Sequence, residues 1–134
     1  MPLPATRVRR AVRAVLDGER AGPATVSVTF VSSARMRGLN RRARAQDRVT
    51  DVIAFRLPLD GGLGLAGDIY VCPAAARRAA LGFHIPEAEE LTRLVVHGTL
   101  HVLGHDHPAG PTRERSPMWR RQERYVQALT ARRR

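Results

Sequence analysis

The sequence predicts an α/β (α+β) fold: one domain over residues 1–134, in which a small mixed β-sheet is packed by about five helices, one of them central and buried. Three observations carry this prediction. Short alternating or apolar runs bounded by turn residues occur three times. Segments of helical periodicity separate or follow them. The segment from Pro86 to about Leu103 carries Leu91, Leu94, Val95, Leu100 and Val102-Leu103, enough to make it a largely buried helix. A chain of 134 residues is long enough for one core and too short for two of ordinary size.

The elements follow in order. Thr6 is the expected cap of a first helix that turns Val8, Val12, Val15 and Leu16 inward and Arg9, Arg10 and Arg13 outward, with Gly18 ending it. Thr25-Val26-Ser27-Val28-Thr29-Phe30-Val31 alternates as a half-buried strand does. Ser32 or Ser33 caps a second helix through Met36 and Leu39, which ends in the basic run Arg41-Arg42-Ala43-Arg44. Val52-Ile53-Ala54-Phe55 and Ile69-Tyr70-Val71-Cys72 read as two further strands joined by a glycine-rich loop from Asp60 to Gly67. That loop has no phosphate-binding lysine and no helix directly after it, so it connects neighbouring strands and implies no nucleotide cofactor. Pro73 opens a short helix ending near Gly82, and the lone His84 before Ile85-Pro86 reads as structural. Pro86 with Glu87, Glu89 and Glu90 marks the first turn of the buried helix, whose packing residues include Leu91, Leu94, Val95, Leu100 and Val102-Leu103. Ser116-Pro117 starts a last helix packed through Met118, Trp119, Tyr125, Val126 and Leu129, and Arg132-Arg133-Arg134 forms a basic tail.

Charge narrows the partners. The formal net charge is +11, and all 23 basic residues are arginine. Such a field attracts polyanions, and the guanidinium adds paired hydrogen bonds to phosphate, so RNA is the expected partner. No run approaches the roughly 18 apolar residues of a membrane span, and Met1-Pro2-Leu3-Pro4 does not open like a signal peptide, so a cytoplasmic protein without membrane contact is expected. The single cysteine, Cys72, suits a reducing compartment and excludes a thiolate-rich metal site within one molecule.

Four of the five histidines fall within the stretch His97-Gly98-Thr99-Leu100-His101-Val102-Leu103-Gly104-His105-Asp106-His107, at the end of the buried helix. His97 and His101 are four residues apart, one turn above one another on the same helix face. Gly104 tolerates the left-handed conformation that reverses the chain at a helix end, which carries His107 back toward the same point. Imidazoles in this HxxxHxxGxxH pattern suit a zinc-class ion, and three protein ligands leave a fourth position for water or substrate. One Zn2+ per chain on His97, His101 and His107 is therefore expected. His105 is a competing imidazole and an alternative ligand. Asp106 can orient an imidazole, take part in proton transfer, or cap the turn after Gly104. Met118 serves as core packing or as a floor beneath the metal.

The histidine segment resembles the HGxLHLxGxDH signature of the YbeY-type bacterial endoribonucleases that mature ribosomal RNA, with Val102 in a leucine place. Leu39-Asn40, Arg44, Asp47 and Thr50-Asp51-Val52-Ile53-Ala54-Phe55 are similar, in order, to that family's LN, R, D and TDVLSF elements, and Gly67-Asp68-Ile69 to its GDI. The likeness covers roughly Val26 to Tyr125. It implies a single-metal, zinc-dependent, single-strand-specific endoribonuclease in which His97, His101 and His107 are ligands and Arg44 is the catalytic-site arginine. It also implies a place in late small-subunit maturation at the 3′ end of that subunit's rRNA and in ribosome quality control, with ribosomal RNA and the small subunit as partners. Departures are His105 where the family is usually aromatic, Ala54 for a serine, Arg56 where proline is common, and a leading edge strand that is short or absent. Asp51 and Asp68 read as hydrogen-bond acceptors at a turn or strand end.

The phosphodiester reading has a clear chemical logic: zinc activates water and polarises a phosphoryl oxygen, and Arg44 would meet the charge that builds on phosphate. Two rivals belong to other classes. A zinc metallopeptidase shares HxxxHxxGxxH, but there a glutamate follows the first histidine, and here Gly98 does. A non-catalytic RNA-binding assembly factor with structural zinc would suit the basic composition equally, and a filled fourth coordination position would mark it.

Overall fold

The computed structural model describes residues 2–44, 51–58, 64–107 and 112–131. Five helices and three strands follow in the order α1 (Ala5–Gly18), β1 (Ala24–Phe30), α2 (Ser33–Arg44), β2 (Val52–Pro58), β3 (Leu65–Val71), α3 (Pro73–Phe83), α4 (Glu87–Val102) and α5 (Pro117–Thr130), with a 3-10 turn at Arg113–Arg115 before α5. The sheet is mixed, in the order β1-β3-β2. β1 runs parallel to β3, with Val26 opposite Gly67 and Val28 opposite Ile69, and β2 runs antiparallel to β3, with Ala54 opposite Ile69. The fold class therefore matches the expectation from sequence, and among the described residues no strand precedes α1.

α4 occupies the middle because two apolar surfaces lie on it. Leu91, Leu94 and Val102 join Ile69, Val71 and Val52 of the sheet in one core. On the opposite side Val95, Val96 and Leu100 pack with Ala11 and Val15 of α1 and with Met118 and Val126 of α5. A smaller cluster sets Met36 and Leu39 of α2 against Ile53, Cys72, Phe55 and Tyr70. Fully burying one such aliphatic side chain is worth roughly 1.5–3 kcal/mol, so α4 is held from both flanks without relying on helix propensity.

The fit of α4 on the sheet depends on two missing side chains. A Cβ on Gly67 would stand 2.5 Å from Val102 Cγ1, and one on Gly98 would stand 2.7 Å from Ile69 Cγ2. Gly67 thus belongs to β3 and not to the loop predicted from Asp60 to Gly67, because close helix approach and not a turn is what requires glycine there. β2 likewise runs on to Pro58. Residues 60–63 of that loop lie outside the described residues.

Helix ends largely follow their capping chemistry. The Oγ of Ser32 accepts from Arg35 N at 3.2 Å, and that of Ser116 accepts from Trp119 N at 3.1 Å. The expectation for Thr6 is corrected: α1 starts at Ala5 behind Pro4 with no side-chain cap, and Thr6 already lies inside the first turn, where Pro4 O accepts from Arg7 N and Val8 N. His84 is the left-handed C-cap of α3, at φ 57°, and its backbone N–H closes the helix.

Candidate metal centre

Each candidate ligand is placed by a local device. His97 and His101 ride one turn apart on α4, their ring centroids 4.6 Å from each other. Gly104 then adopts φ 98°, its N–H donates to His101 O at 2.9 Å, and His105 N donates to Leu100 O at 3.0 Å. That pair of bonds is the glycine-terminated helix stop the sequence calls for. It returns the chain so that the His107 ring lies 5.1 Å from both other rings. One nitrogen from each of His97, His101 and His107 falls within 4.8 Å of the others. Three imidazoles that close can share one ion.

His97 is the best defined of the three. It is 6% exposed, and its Nδ1 lies 2.6 Å from Gln122 Oε1. The amide orientation follows from the next link. Gln122 Nε2 is 3.0 Å from Glu123 Oε2, and a carboxylate only accepts, so the amide nitrogen must face Glu123 and the amide oxygen must face His97. The amide oxygen also only accepts. His97 Nδ1 therefore carries the ring proton, and the Nε2 lone pair is left for the cluster. Glu123 is held in turn by two 2.9 Å bonds from Arg93, which also grips Glu90 at 2.9 Å and Glu89 at 3.2 Å. Burial pushes the His97 imidazolium down to about 3, against the Gln122 bond and helped by the charges of His101, Arg113 and His107. The ring is neutral at physiological pH, the form that ligates a metal.

Gln122 was not foreseen among the site residues. The clue available was a polar side chain between Met118 and Val126 at four-residue spacing, on the buried stripe of α5. Replacing it by leucine keeps the volume and removes the acceptor for Nδ1–H. Metal affinity of Gln122→Leu is expected to weaken by about 10–100-fold, read by competition with a chromophoric chelator. Unchanged affinity would mean that packing alone orients the ring.

The remaining predicted residues fall in distinct places. His105 is turned away from the cluster: its Nε2 meets Glu19 Oε1 at 2.8 Å, at the end of α1. Glu19 also accepts from Tyr125 at 2.5 Å and Arg121 at 3.1 Å. Burial raises the Glu19 carboxyl, but these bonds outweigh it and hold the group below its ordinary value. Asp106 is exposed, and its Oδ1 accepts from His107 N at 3.2 Å, which caps the turn. Met118 is 3% exposed in the α1–α4–α5 core, and it also borders a crevice lined by His97 and His107. Asp68 accepts from Ser27 Oγ at 2.7 Å across the strands. Arg44 is the last residue of α2, and its side chain, like Asp47 and Thr50, lies outside the described residues.

A cavity of about 660 Å³ opens beside His97, bordered by Phe83, Ile85, Glu90, Arg113 and Trp119. Gly98 faces the other way, against Ile69, so a side chain following His97 would collide with β3. The glutamate that a zinc peptidase carries at that position has no room here. Among the described residues no helix is long and apolar enough to cross a membrane.

Comparison with known proteins points to one family. Residues 3–130 match the family profile described as Endoribonuclease YbeY. An Endoribonuclease YbeY of Alkalilimnicola ehrlichii is 39% identical over 116 residues, covering 83% of this chain and 70% of that protein. One from Chlorobium phaeovibrioides is 33% identical over 129 residues, covering 96% and 84%. A solution structure of a Thermotoga maritima protein superposes with a TM-score of 0.60 at 31% identity, over 93% of this chain and 83% of that one. A profile match that spans the five helices and three strands of the described residues, and both arms of the histidine cluster, decides the kinship: this chain belongs to the YbeY endoribonuclease family.

Proposed function

We propose that residues 1–134 act as one metal-dependent endoribonuclease domain that hydrolyses phosphodiester bonds in single-stranded RNA. In this reading one Zn2+ per chain is held by His97, His101 and His107, and the substrate is ribosomal RNA, at the 3′ end of the small-subunit rRNA, during late maturation and quality control of ribosomes in the cytoplasm. The single observation that carries the reading is the convergence of three imidazole nitrogens within 4.8 Å at the end of a buried helix. The donor set supports a zinc-class ion, since it is all nitrogen and Cys72 is buried in another cluster. The net charge of +11 supports a polyanionic substrate.

A zinc-class ion, when bound, supplies Lewis-acid polarisation of a phosphoryl oxygen and activation of water. The chain supplies the rest. Gln122 holds His97 in one tautomer, the Gly104 turn sets His107, and the α1–α4–α5 core keeps the helix bearing His97 and His101 rigid. Arg44, carried over from the family motif, is assigned to the charge that builds on the phosphate.

The test compares cleavage of one RNA as a single strand and as a duplex, with and without a chelator, by wild-type and Arg44→Ala protein. Chelator-sensitive cleavage of the single strand is expected. Arg44→Ala should lower it by about 100-fold while metal content and fold persist, the scale of one oriented charge-stabilising donor. RNA affinity should change far less, because many arginines share the binding. A wild-type rate in nuclease-free Arg44→Ala protein would remove that residue from the mechanism, and chelator-insensitive cleavage would favour the assembly-factor reading.

A further inference from the structure

We propose that Arg113 is a second phosphate-binding residue of this site: its guanidinium receives a non-bridging oxygen of the phosphodiester being cleaved, beside the ion that His97 and His107 help to hold. This deepens the nuclease reading and rests on it. Arg113 lies beyond His107, the last histidine of the signature, and is no part of that motif.

Three observations place it there. Arg113 borders both the 660 Å³ cavity beside His97 and the crevice between His97 and His107, so it stands at their junction. Its Nε is buried and has no hydrogen-bond partner among the described residues. Burying a charged donor without an acceptor is costly, and a persistent orphan of this kind in a cavity wall marks a place for a ligand atom. The backbone around it is fixed: Ser116 Oγ donates to Arg113 O at 2.7 Å, Arg115 N donates to Thr112 O at 3.1 Å, and Ser116 then caps α5. The backbone that carries Arg113 is thus set before any ligand arrives.

The carboxylates of the same cavity sharpen the contrast. Glu89, Glu90 and Glu123 border it together with Asp51 and Glu114, and the first three are bonded to Arg93. Arg93 is thus the structural cation, consumed in orienting Glu123 and Gln122. Arg113 lines the same wall and has no carboxylate bonded to its Nε. The ligand that fits is an anion presenting an oxygen to Nε, which a phosphodiester or its phosphate monoester product provides and an amine does not.

In hydrolysis the oxygen of water bonds to phosphorus and the bond from phosphorus to one ribose oxygen breaks. That oxygen leaves with a proton from the water, and the other fragment ends as a phosphate monoester. Negative charge accumulates on the non-bridging oxygens in between, and a guanidinium there gains most at that moment.

The test uses the full metal-loaded chain with Arg113→Ala and Arg113→Lys, inorganic phosphate as the binding probe, and single-stranded RNA as the substrate. Arg113→Ala should keep one ion per chain, lose about 100-fold in kcat with KM little changed, and bind phosphate at least about 10-fold more weakly. Free guanidinium ion added to Arg113→Ala should restore part of the rate, and Arg113→Lys should fall between. Unchanged kcat and phosphate affinity in folded, metal-loaded Arg113→Ala would overturn the proposal. So would loss of the ion, which would make Arg113 a support of the histidines. If wild-type protein cleaves no RNA, the nuclease reading falls. Phosphate binding that depends on both the ion and Arg113 would then still uphold the site.

Discussion

Replacing His101 with alanine is expected to strip the ion from the protein and abolish RNA cleavage while leaving the fold in place. His101 is half-buried on the last turn of α4, so its removal opens little of the core. His97→Ala is a poorer probe, since it leaves Gln122 Oε1 unpaired inside the protein. Losing one of three ligands should weaken metal binding well beyond the about 10–100-fold that loss of a ligand's hydrogen-bond partner costs. His105→Ala is the control and should retain the ion, because its ring is bonded to Glu19 on the far side of the turn. Metal content after dialysis reads both variants. Loss of metal in His105→Ala together with retention in His107→Ala would refute the assignment of the third ligand.

The second large effect is on stability. Arg93 is 16% exposed on its side chain and is the shared partner of Glu89, Glu90 and Glu123, of which Glu90 is 8% exposed. Arg93→Ala leaves a buried carboxylate uncompensated, a change that costs about 3–5 kcal/mol at neutral pH. Burial already raises the Glu90 carboxyl above its ordinary 4.5, against the pull of Arg93, and removing Arg93 raises it further. A raised carboxyl destabilises the fold where it is charged and ceases to do so once protonated. The deficit of Arg93→Ala should therefore be largest near neutrality and shrink as pH falls toward and below 4.5. Urea midpoints at several pH values measure it, and a deficit independent of pH would show that lost packing, not the buried charge, dominates.

Much of the site is legible in sequence because its geometry is local. The spacing of His97 and His101 needs only helix periodicity, and the return of His107 needs only a residue such as Gly104 that accepts positive φ. The five helices and three strands are legible for the same reason, each resting on periodicity or capping within its own segment. What escapes is set by partners far along the chain. Gln122 lies 25 residues from His97, and nothing near it in sequence shows that its amide turns inward. His105 reads as a rival ligand until Glu19, 86 residues away, is seen to hold its ring. Gly67 reads as loop because glycine usually marks a turn, whereas here Val102 presses on the strand. The parallel pairing of β1 with β3 is likewise a long-range event, arranged around α4 and invisible in either strand alone.

Nuclease activity is expected to require one ion on the three histidines, and a metal titration decides the matter. Metal-free protein is loaded stepwise with Zn2+ while bound metal and cleavage of single-stranded RNA are measured on the same samples. No cleavage is expected at the start, then a rise proportional to bound metal, and saturation of both at one ion per chain. Full activity in protein free of metal, or an ion bound at one per chain with no cleavage at any loading, would contradict it.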